Sequence, residues 1–98
     1  MTRRINLSVN DIPVDIDYFV QGFIDHTVGG MIAALEGTGE IRHLVVTVEG
    51  NQVAVILNES VLPLNPFAGK IIRNTIVGMI SSLKGVSQIN SLNITIRR

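Results

Sequence analysis

Apolar and polar residues alternate from Ile5 to Asn10, with Ile5, Leu7 and Val9 set against Asn6, Ser8 and Asn10. That period of two predicts a strand with one buried face. Asn10-Asp11 is a turn signal, and Ile12 to Ile16 alternates again. This second stretch is either a tucked linker or a short strand folding back on the first. Pro13 has no amide proton to give to a ladder, so such a strand belongs at a sheet edge. After Asp17, which can cap a helix N-terminus, the period changes. Phe19, Val20, Phe23, Ile24, Val28, Met31, Ile32 and Leu35 cover an arc of roughly 220° at 100° per residue. A helix lying on a sheet needs an apolar stripe of little more than about 100°, so this arc has a spare flank. Gln21, Gly22, Asp25, Gly29 and Ala33 fill the remaining side. Ile41 to Glu49 returns to period two, with Leu44, Val46 and Val48 on one face.

The pattern then repeats. After the tight turn Glu49-Gly50-Asn51-Gln52, Val53, Val55 and Leu57 predict a strand. Asn65-Pro66 opens a second helix with Phe67, Ala68, Ile71, Ile72, Ile76, Met79, Ile80 and Leu83 on its apolar arc. Leu92, Ile94 and Ile96 predict the last strand. Gly37 and Gly85 are the expected stops after the two helices. A shift of 48 residues superposes Asn10 on Asn58, Phe19 on Phe67, Gly30-Met31-Ile32 on Gly78-Met79-Ile80, Leu44 on Leu92 and Thr47 on Thr95 without a gap. The chain is therefore expected to be a single domain, 1–98, made of two copies of one unit, 2–49 and 50–97.

The order strand, helix, strand, strand, helix, strand resembles the ferredoxin-like split βαβ sandwich. The resemblance is to a fold and not to a family. It implies an α+β, antiparallel sheet of order 4-1-3-2. The Ile5 and Val53 strands would be central, and the Val46 and Ile94 strands would lie at the edges. The alternative is a duplicated ββαβ unit with short extra strands at 12–16 and 60–64.

Residues common to both copies are most economically assigned to folding. Phe19 and Phe67 are expected in the core, Met31 and Met79 as core gap-fillers, and Gly30 and Gly78 as packing glycines. The copies differ at Asp25/Arg73, His26/Asn74, Glu36/Lys84, Arg42/Asn90, His43/Ser91 and Glu49/Arg97. Reversed charge at Asp25/Arg73, Glu36/Lys84 and Glu49/Arg97 lets one half of a molecule meet the other half of a second molecule, or reflects a solvated surface that drifted.

Composition narrows the function. Only 16% of the 98 residues are charged, below the usual quarter, and a chain this short has much surface for its volume. Exposed apolar area follows, and with it a partner, most simply a second copy. Eight basic and eight acidic residues cancel, which removes any general electrostatic attraction for nucleic acid. The chain has no cysteine, which excludes disulfides and thiolate chemistry. No apolar run is long enough to span a membrane, and a cytoplasmic location is the default expectation.

Catalytic and metal chemistry find little support. Asp25 and His26 are adjacent on a helix and point about 100° apart. His43 lies on a strand, on the face away from the helices, so the two histidines are expected on opposite sides of the sheet. No catalytic set, metal set or cofactor is expected. All four aromatics, Tyr18, Phe19, Phe23 and Phe67, fall at helix starts and not on a sheet face where RNA bases could stack. By parity the open face of the sheet carries Arg4, Asn6, His43 and Arg97, the candidate ligand-binding residues. It also carries Ile41, Val45 and Ile56, which with Val77 on the second helix are the candidate interface. The expected function is a small non-enzymatic homo-oligomeric module, a dimer first. The alternatives are a sensor of a small ligand or anion with its pocket at the subunit interface, and an enzyme using His26 or His43. An unidentified protein partner is a further possibility.

Overall fold

A computed structural model describes residues 4–35 and 39–98. Among these the element order is β1 (Arg4–Val9), β2 (Ile12–Pro13), α1 (Tyr18–Ala33), β3 (His43–Glu49), β4 (Gln52–Leu57), β5 (Ser60–Val61), α2 (Pro66–Ser81) and β6 (Ser91–Arg97). The fold is mixed α+β, an antiparallel sheet with two helices. The short extra strands are present, as two residues each and not five. The expected stop at Gly37 and the position of Glu36 lie outside the described residues.

Local chemistry sets the elements. Asp17 Oδ1 accepts from the Val20 amide (2.8 Å) and Asn65 Oδ1 from the Ala68 amide (2.7 Å), capping the two helices. The β1–β2 and β4–β5 hairpins turn on Asn10-Asp11 and Asn58-Glu59, all four at positive φ. Two consecutive left-handed residues make the turn whose twist suits a two-residue hairpin. Asn10 then accepts from the amides of Asn90 and Ser91 and donates to the Gln88 carbonyl. Asn58 does the same with Arg42, His43 and the Glu40 carbonyl. Each asparagine thus ties its hairpin to the start of a strand from the other half of the chain.

The sheet order is β2-β1-β6-β3-β4-β5. This corrects the expected arrangement: the Val46 and Ile94 strands are central and paired with each other, while β1 and β4 lie outside them. The hairpins are the reason. β2 occupies one edge of β1 and β5 one edge of β4, so β1 and β4 have only one edge left for the rest of the sheet. Pro13 accordingly sits in the outermost strand, where its missing donor costs nothing. β3 and β6 pair with Val46 opposite Ile94, and with His43 and Glu49 opposite Arg97 and Ser91. An approximate two-fold axis therefore passes through the Val46–Ile94 pair, normal to the sheet, and exchanges the halves of the chain.

Both helices lie on one face. The core is Ile5, Leu7 and Val9, the inward residues of β3, β4 and β6, and Ile24, Val28, Ile32, Ile72, Ile76 and Ile80. The Cα positions fill a plate of 36 × 34 × 18 Å, two layers thick, with one sheet face and one helix face open.

Candidate interaction surfaces

The helices are rotated about their axes relative to expectation. On α1 the buried residues are Ile24, Asp25, Val28, Gly29 and Ile32, so the sheet takes the far half of the apolar arc together with part of the side expected to be polar. The near half faces outward. Phe19 is 74% exposed, Phe23 52%, Tyr18 82% and, on α2, Phe67 73%. Ile71 is also exposed. Phe19 and Phe67 are not core residues, which corrects the sequence-based expectation. The Phe19 and Phe23 rings stand 6.1 Å apart, centroid to centroid. They border a cleft of about 300 Å³ between the helices, whose other walls include Val20, Ile24, Met79, Ile80 and Leu83. On their other side, with Tyr18, they border a shallow depression that reaches His26.

Gly30 and Gly78 are exposed on the same outward helix faces, and a methyl group built on either meets no atom within 4 Å. They are not packing glycines within this molecule. Gly29 is. Asp25, only 3% exposed, receives Nε of Arg98 on Oδ1 (3.0 Å), while a second nitrogen of that guanidinium donates to the Asp25 carbonyl (3.3 Å). A methyl group on Gly29 would overlap the same guanidinium. The Asp25/Arg73 reversal is thereby satisfied inside the molecule, because Arg73 in turn donates from Nε to the Gly50 carbonyl (2.8 Å).

The open sheet face brings most of the expected ligand residues together. Arg4 pairs with Arg97, and Arg97 with His43, so the three form one row across β1, β6 and β3. Asn6 lies one row in on the same face, opposite Thr95. At the other end of the face, Ser8, Asp11, Thr47, Glu49, Ser91 and Asn93 line a depression of about 210 Å³. Of the expected interface, Ile56 is exposed on this face and Val45 beside it is half-buried. Ile41 is placed in the core, before β3 begins, with almost no surface to offer a partner. Val77 is half-buried against the core from α2. Of the two histidines, His26 is exposed on α1 with Nδ1 2.8 Å from the Gly22 carbonyl.

Among the described residues no three or more His, Cys, Asp or Glu side chains could hold a metal ion, and no helix is long and apolar enough to cross a membrane. Tests against protein-family models, curated proteins and solved structures found no match to this chain.

Proposed function

We propose that this protein is a small non-enzymatic module that works by self-association, and that its principal docking surface is the outward face of the helical layer. The observation that carries this is the exposure of all four of its aromatic residues on that layer. An aromatic side chain has about 150–250 Å² to bury. At the observed exposures, Tyr18, Phe19, Phe23 and Phe67 leave on the order of 500 Å² of aromatic surface in water. A standard interface buries roughly 800 Å² per partner. Taking that surface out of water is favourable, and it offsets part of the lost translational and rotational freedom of association. On the sheet face the large exposed apolar side chains among the described residues are Ile56 and Val61, paired across β4 and β5 at one side of it, and they offer less than the aromatics.

The identical 48-residue spacing of every element supports a tandem duplication as the origin of the fold. A layer with its own approximate two-fold presents two equivalent aromatic ends, Phe19 with Phe23 and Phe67 with Ile71. A second copy related by a true two-fold meets both ends at once.

Light scattering across a concentration series tests the reading. The wild-type protein associates, and the double variant Phe19→Ser/Phe67→Ser loses at least 100-fold in affinity. A wild-type protein that stays monomeric at high micromolar concentration overturns it.

A further inference from the structure

We infer that the open sheet face is a second self-association surface, which takes another copy of this chain in one orientation only. The sheet register carries this pairing, independently of the helical surface.

Two sheets stacked face to face can be related by a two-fold axis in the plane between them. Because the molecule has its own approximate two-fold normal to the sheet, an axis along the strands and an axis across them give nearly the same backbone fit. Side chains break the tie. The Arg4–Arg97–His43 row lies at one end of the face, and the equivalent row at the other end is Gln52–Glu49–Ser91. The hairpin turns add one carboxylate to each end, Glu59 and Asp11. On this face one end thus holds two guanidiniums and a carboxylate, and the other two carboxylates.

An axis along the strands sets each end of the face over the same end of the second copy, Arg97 over His43, and sets the apolar β3–β4 side, Val45 and Ile56, against the polar β1–β6 side, Asn6 and Thr95. An axis across the strands does the reverse. It lays β3 and β4 over the second copy's β3 and β4, so the apolar side meets itself. It also sets the Arg4–Arg97–His43 row over the second copy's Glu49–Ser91 row and the depression beside Asp11. The apolar pattern selects this axis, and the opposite net charge of the two ends favours it. Among the described residues no hydrogen bond or ion pair of a side chain absorbs the Glu49/Arg97 reversal between the halves of the chain, unlike Asp25/Arg73, and this orientation uses it.

A consequence follows when both faces are occupied. The two axes lie in separate planes on opposite sides of the plate and do not meet, so the two contacts together build an open-ended stack and not a closed ring.

The Phe19→Ser/Phe67→Ser variant isolates the sheet face. Light scattering on it, with circular dichroism to confirm the fold, is expected to show twice the protomer mass at high micromolar concentration. Adding Arg97→Glu returns it to a monomer, and adding Glu49→Arg as well restores the dimer. A parent variant that remains monomeric throughout, or a dimer indifferent to Arg97→Glu, overturns the inference. The helical reading is judged separately on Ile56→Lys: if that variant is monomeric while the Phe19→Ser/Phe67→Ser variant is dimeric, the helical surface fails and the sheet pairing stands.

Discussion

At the scale of single residues, the least ordinary feature is a carboxylate in the core. Asp25 is tolerated there because Arg98 reaches over α1 to pair with it, and Gly29, one turn along, leaves room for the guanidinium. Removing one partner of a buried ion pair costs about 3–5 kcal/mol. The Arg98 side chain keeps about a third of its surface in water, which puts Arg98→Ala at the low end, about 3 kcal/mol. Gly29→Ala displaces the same guanidinium and recovers only the roughly 1 kcal/mol of helix propensity that alanine brings. Urea denaturation measures both, and a loss under about 1 kcal/mol for Arg98→Ala would show the pair to be incidental. None of this was legible beforehand. Asp25 sits on the wheel among Gln21 and Gly22, and its partner is 73 positions away in the chain. Only the coincidence of a charge and a glycine four residues apart hinted at it.

At the scale of elements, strands and helices were legible because their periods, caps and turns are local. Asp17, Asn65 and Pro66 mark the helix starts, and Asn10 and Asn58 mark the hairpins. What the pattern leaves open is rotation. An arc of roughly 220° offers a sheet two halves to choose from, and the sheet took the one centred on Val28 and Ile76. That choice turned Phe19, Phe67, Gly30 and Gly78 to the outside. Glycine inside a helix costs about 1 kcal/mol against alanine, and here no neighbour within the molecule requires it. Gly30→Ala and Gly78→Ala are therefore each expected to raise the stability of the protomer by up to about 1 kcal/mol in denaturation. If the outward faces meet closely in an assembly, the same methyl groups weaken self-association. Variants that gain stability and associate as well as the parent would remove these glycines from the interface.

At the scale of the whole molecule, the internal symmetry was visible in the 48-residue shift, but the strand order was not. Nothing in a single strand's pattern tells whether its second edge is filled by a central neighbour or by a two-residue hairpin. The hairpins settled it by occupying the outer edges of β1 and β4, which left β3 and β6 to join the halves. The interleaving also means that neither half closes a sheet alone, since β6 lies between β1 and β3. The result is a thin plate with two uncovered faces, and the aromatic one dominates its surface chemistry. The most direct test uses the chain's single tyrosine; it has no tryptophan, so Tyr18 alone reports. Quenching of its fluorescence by acrylamide is measured from low to high micromolar protein. Tyr18 is expected to be freely quenched when dilute and protected as the protein associates. Association with Tyr18 equally quenchable at every concentration would contradict it, because the helical face would then still be in water.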